Sequence, residues 1–265
     1  MEGLVRWRQG NAREAAACYA RALEVAHQVG DRLGAATALN SMGALHRDQH
    51  EDALARQAFE QAVTILREIG DRIGYAAALA NLGLVLRETG DLAAAATAHR
   101  ESIAIFRQAG DAQTVARGLK ALSDVLLDSG AFAEAVGVLS EGTALAKGDR
   151  GAEMLVQRNL GQALAAVGEE GRGRAELESA LERARTLGTG FNIAWILLRL
   201  SDLHQDAGRV AEARDAAAEA FQVADQNRLV DFQIAARLAL ARALAESDPA
   251  AALKSAREAF GVVPN

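Results

Sequence analysis

One arrangement of apolar and small positions recurs about every 40 residues along the chain. A leucine or methionine precedes a small residue at Met42-Gly43, Leu82-Gly83, Leu122-Ser123, Leu160-Gly161, Leu200-Ser201 and Leu240-Ala241, and Gly3 extends the small series to the start. The steps between small positions are 40 residues, except for 38 between Ser123 and Gly161. Further small residues follow at Ala15, Ala55, Ala95, Ala135 and Ala213, with Ala252 one residue early. Seven positions beyond these lie Ala22, Ala62, Ser102, Gly142, Ala220 and Ala259. Small side chains at helical spacing let two antiparallel helices approach closely, while the leucines fill the space between them. Each repeat therefore predicts two packed helices, and the chain predicts an all-α fold of about seven such pairs.

Two interleaved glycine series mark the turns. Gly-Asp occurs at Gly30-Asp31, Gly70-Asp71, Gly110-Asp111 and Gly148-Asp149, and Gly188 continues this first series. The second comprises Gly10, Gly90, Gly130, Gly168 and Gly208, with His50 in the place of a sixth glycine. Glycine just past a helix adopts the left-handed conformation that satisfies the last carbonyls, and an aspartate after it caps the next helix. His50 in such a slot is expected to cost stability. Gly130 to Gly148 spans 18 residues where Gly90 to Gly110 spans 20, which predicts a second helix shortened by about half a turn in the fourth repeat. Gly173 in an alanine slot suggests looser packing in the fifth, and Asp248-Pro249 suits the first helical position of the last unit.

These motifs resemble the tetratricopeptide repeat. Gly3, Gly10, Ala15, Tyr19 and Ala22 follow its pattern, Phe59 repeats the aromatic, and Arg72 to Asp111 is the fullest example. Forty residues exceed the usual length, so the chain resembles the long-repeat subclass that includes kinesin light chains and sensor arms of large bacterial transcription regulators. The resemblance implies a right-handed superhelical solenoid forming one domain over residues 1–265. Its repeats would run approximately 1–31, 32–71, 72–111, 112–149, 150–190, 191–230 and 231–265. The first helix lacks its expected N-terminal half, which suggests excision from a longer protein, and Val262-Val263-Pro264-Asn265 reads as a stop.

Composition narrows the chemistry. The net charge of −6 argues against a phosphate-backbone binder, so no direct nucleic-acid partner is expected. No apolar run is long enough to span a membrane, and the N-terminus has no apolar leader core. A single cysteine, Cys18, suggests a reducing, cytoplasmic setting. Only three lysines (Lys120, Lys147, Lys254) stand among 29 basic residues, a bias that suggests a GC-rich bacterial genome. His46 and His50 have the i,i+4 spacing of metal ligands but no third partner, and Gly168 to Gly173 carries two glutamates that would repel a phosphate. Neither a metal or cofactor nor an enzymatic activity is expected.

In the resembled family the first helices line a concave groove where partners dock. That pattern, carried onto this chain, implies a partner-binding face containing Asn40, Arg47, Leu84, Arg87, Lys120, Asp124, Arg158, Gln162, Trp195, Arg199 and Asp202. Lys120 and Arg158 share one slot and would grip an acidic group, although Lys120 and Asp124 are also spaced to satisfy each other. Asn81 and Asn159 are the asparagines of a neighbouring slot, and Trp195 is the candidate anchor. The expected function is protein or peptide binding by the interaction arm of a bacterial regulator. A small-molecule inducer and self-association are the alternatives.

Overall fold

The computed structural model describes residues 2–145, 148–245 and 247–261. The described residues form fourteen α-helices and no strand. They divide into two compact units, 1–131 and 132–265. Val262 to Asn265, the suggested stop, lie outside the described residues.

The first unit holds α1 (Glu2–Arg8), α2 (Ala12–Val29), α3 (Arg32–Asp48), α4 (Asp52–Ile69), α5 (Arg72–Glu88), α6 (Leu92–Gln108) and α7 (Ala112–Asp128). The second holds α8 (Phe132–Leu145), α9 (Arg150–Ala166), α10 (Glu170–Leu187), α11 (Gly190–Asp206), α12 (Val210–Gln226), α13 (Val230–Leu244) and α14 (Pro249–Gly261). α8 has 14 residues against 17 in α6, and the two residues after it lie outside the described residues, so the full extent of the predicted shortening falls there.

Within each unit every helix packs on its chain neighbours. α3 also touches α5 and α5 touches α7; in the second unit α9 touches α11 and α11 touches α13. Second helices make no comparable contact with one another among the described residues. First helices that meet while second helices are splayed put the first helices on the inner side of each stack.

The turns form as the sequence predicts. Every glycine of both series has a positive φ, from 66° at Gly188 to 94° at Gly148. At the Gly30 turn the Asp31 amide reaches back to the Ala26 carbonyl at 2.8 Å, and the Asp31 carboxylate accepts the Gly34 amide at 2.8 Å. Asp71, Asp111 and Asp149 cap α5, α7 and α9 in the same way, and Asp91 and Asp248 cap α6 and α14. His50 takes the glycine conformation without being glycine, at φ 59°, and Arg228 does the same at 56°.

The small positions are where paired helices touch. A Cβ added to Gly43 would lie 2.8 Å from the Phe59 ring, and one on Gly83 would lie 2.7 Å from the His99 ring. The same holds for Gly3 against Tyr19 and Gly161 against Leu177. Ala55, Ala95, Ala135 and Ala213 are fully buried, as are Ala62 and Ala220. Ala22 departs from this pattern and is exposed, because the seven-residue α1 does not reach that part of α2.

Gly173 corrects one expectation. It marks a tighter contact rather than a looser one: a Cβ there would lie 2.7 Å from the Gly161 carbonyl oxygen and 2.8 Å from the Ala165 amide nitrogen. Backbone meets backbone at this crossing, so no side chain can swing aside. Alanine usually stabilises a helix interior over glycine by roughly 0.5–1 kcal/mol. Gly173→Ala should instead destabilise the second unit by about 1–3 kcal/mol, read from urea unfolding. His50→Gly should act in the opposite sense, gaining about 1 kcal/mol by removing the left-handed strain.

Candidate functional site

The inner face of the first unit is built from α3, α5 and α7. Asn40 and Asn81 join two of these helices, the Asn81 amide donating to the Asn40 carbonyl oxygen at 3.0 Å. Arg47 is half-buried and lies 3.7 Å from Asp48, and Leu84 is half-buried on α5. Arg87 donates to Asp128 at 2.6 Å and lies 3.9 Å from Asp124, which accepts from Lys120 at 2.8 Å. Asp124 is the most sheltered of these, its side chain 17% exposed. The charges of this face are therefore largely spent on one another, and Lys120 takes the i,i+4 pairing that its spacing allows.

Beneath this network lies His99, which occupies the ring position filled by Phe59 in the preceding repeat. It is 1% exposed, and neither ring nitrogen has a hydrogen-bond partner. Burial lowers its pKa from 6.5 to about 4; Asp124 on α7 opposes that shift and Arg87 on α5 adds to it.

The inner face of the second unit is different in kind. Trp195, half-buried on α11, has the Arg158 guanidinium of α9 over its ring at 4.9 Å and that of Arg199 at 5.6 Å. Arg158 is oriented by donating to Asn192 at 2.7 Å and to Asn159 at 2.9 Å. Asn159 is 3% exposed, so this asparagine faces the protein interior and positions Arg158. Asp202 is shared between Arg199 at 3.5 Å and Arg242 at 3.1 Å. Gln162 is half-buried on α9. The face thus brings together Arg158, Trp195, Arg199 and Asp202, while Lys120 is engaged within the first unit.

Phe191 and Phe232 belong to this face and were not among the expected residues. Their rings meet edge to face, centroids 5.0 Å apart. Phe191 lies one helical turn before Trp195 and is 50% exposed. That i−4 spacing from a candidate anchor was the available signal. Phe232 lines a cleft of about 260 Å³ with Trp195, Leu198, Arg199, Asp231 and Ala235.

The remaining candidates for chemistry are ordinary features. His46 pairs with Glu51 across the His50 turn at 2.5 Å. No group of three or more metal-ligating side chains converges among the described residues. Cys18, on α2, is half-buried.

The profile of the tetratricopeptide repeat matches residues 2–68 and 69–148. The chain belongs to the tetratricopeptide-repeat family. A second profile, described as anaphase-promoting complex subunit 5, matches residues 174–241. No curated protein matches this tetratricopeptide-repeat chain. Among solved structures it is similar to a signal transduction ATPase with numerous domains carrying a tetratricopeptide-repeat sensor, from Pyrococcus horikoshii. The TM-score is 0.81 and the identity 14%, over 97% of this chain and 40% of that one. The chain thus spans about two fifths of that protein's length. It is also similar to RapI in its apo form, at TM-score 0.75 and 11% identity over 98% and 94% of the two chains. A Rap protein complexed with competence and sporulation factor gives 0.64 and 14% over 87% and 63%. At these identities the likeness shows the shared fold. The fold is one of interaction scaffolds, and no helix among the described residues is long and apolar enough to cross a membrane.

His99 supplies a pH test of the first unit. Its folded pKa lies below its unfolded value, so the neutral ring's contribution is intact above pH 6.5 and is lost as pH falls toward 4. Between pH 7.5 and 5 the loss should be about 2 kcal/mol. His99→Phe, which copies the preceding repeat, should remove that increment from the pH dependence of urea unfolding.

Proposed function

We propose that this chain is a protein- or peptide-binding module that uses the inner face of its first helices, as the interaction arm of a larger bacterial signalling regulator. The observation that carries the reading is the contrast between the two sides of each stack. First helices adjoin and present side chains of several helices together, so a partner lying across them meets a preformed surface without ordering it. On the second unit that surface holds an aromatic and two guanidiniums, the residue types that dominate binding energy at interfaces.

The regulator part of the reading draws support from the similarity to a multidomain ATPase whose tetratricopeptide repeats are described as a sensor. It also draws on the Rap protein complexed with competence and sporulation factor.

The face is tested by comparing two sets of substitutions on the immobilised chain. Arg47→Glu, Leu84→Gln and Gln162→Glu alter first helices of both units. Arg56→Glu and Arg172→Glu alter second helices. The first set should reduce recovery of bound proteins at least ten-fold while the second leaves it unchanged. Equal losses from both sets would rule out the first-helix face.

A further inference from the structure

We infer that the cleft between α11 and α13 is an anchor pocket for a single apolar side chain that is followed, in an acidic segment of a partner protein, by carboxylates. This deepens the reading of the first-helix face and rests on it.

The size of the cleft sets the scale of its occupant. At about 260 Å³ it falls below the roughly 300–1,000 Å³ of sites that enclose a whole small molecule. It suits one side chain of a longer chain that continues over the surface. Trp195, Leu198, Phe232 and Ala235 give the cleft apolar walls. Phe191, 50% exposed and packed edge to face on Phe232, extends the apolar surface beside the cleft. A buried aromatic or aliphatic anchor would remove this surface from water.

The charges give the segment a direction. α11 and α13 run parallel in register, since Asp202 and Arg242, 40 residues apart, meet at 3.1 Å. The N-terminal end of the cleft carries Asp231 and the C-terminal end carries Arg199. Beyond Arg199 stands Arg242, and the two guanidiniums share one carboxylate, Asp202. Both are well exposed, at 49% and 59%. A partner carboxylate placed on that side meets two cations held against a single anion, whereas a partner lysine there would meet like charge. Arg199 already lies over the indole, so a carboxylate bound to it would be held beside the anchor.

The test uses twelve-residue peptides in a Gly-Ser background, with one Phe or Leu followed by two glutamates. Control peptides replace the glutamates with lysines or the apolar residue with alanine. The chain has two tryptophans, so in a Trp7→Phe background the emission reports Trp195 alone. The glutamate peptides should shift that emission and bind at least ten-fold tighter than either control, with calorimetry giving the affinity. Arg199→Gln should weaken them at least five-fold and Trp195→Ala at least ten-fold, with helical circular dichroism unchanged. Arg199 is exposed, so its variant keeps the test valid if Trp195→Ala fails to fold.

Binding that is indifferent to both substitutions, equal affinity for the lysine peptides, or no binding by any peptide would overturn the pocket. If the first-helix substitutions still abolish partner recovery in that event, the pocket alone is lost. If they do not, the face is lost with it.

Discussion

The structure depends on a small or missing side chain at one position in each repeat. Where Gly43 crosses Phe59 and Gly83 crosses His99, the facing ring occupies the space a Cβ would need. This contact sets the separation of the two helices in a pair, and the buried alanines on the second helix complete the fit. Close packing of this kind tolerates volume changes poorly. Ser123 and Ser201 show how the rule is relaxed. Both are buried, and each hydroxyl donates to a backbone carbonyl, that of Lys120 in one case and of Ala213 in the other. A polar atom is thereby admitted to the crossing without being left unsatisfied.

His99 shows the other way of departing from the rule. The space opposite Gly83 is filled by a bulky side chain, and imidazole supplies the bulk without a partner for either nitrogen. Burying unsatisfied polar atoms costs free energy, so bulk has been kept at the expense of hydrogen bonding. Arg87 and Asp124, the charges that act on this ring, also belong to the inner face. The core and the face of the first unit are therefore electrostatically linked, and a change in the charge of either is felt by the other.

Much of this was legible in the sequence because it follows from local rules. Glycine past a helix and aspartate before the next have one use at that spacing, and Asp31, Asp71, Asp111 and Asp149 perform it. The small positions were equally legible, since period and size together name a helix crossing. What spacing could not supply was the partner across the crossing. Gly173 reads as a defect in an alanine series until the Gly161 carbonyl is found against it. Asn159 reads as a surface residue one step from Arg158, yet it is buried. A helical wheel assigns faces to within about one position, and at the edge of a face one position separates core from groove. Arg228 was missed because a long side chain can adopt the glycine conformation when its neighbours hold the turn, as the Leu229 amide does by bonding the Ala224 carbonyl.

The two inner faces also differ in what they leave for a partner. In the first unit, Arg87 and Lys120 face Asp124 and Asp128, two cations against two anions. Any ligand charge must break an existing pair, and exposed pairs of this type contribute little either way. In the second unit the comparable region replaces part of that charge with rings. An indole holds a guanidinium by its quadrupole without neutralising it, so the charge of Arg199, stacked on Trp195, is met only by Asp202, which it shares with Arg242. Stacking orders the side chain in advance, which lowers the entropy lost on binding. One carboxylate shared by two arginines leaves them less fully paired than the matched charges of the first unit, while the aromatic face holds Arg199 in position. That difference, more than the number of charged groups, makes the second face the better candidate for recognition.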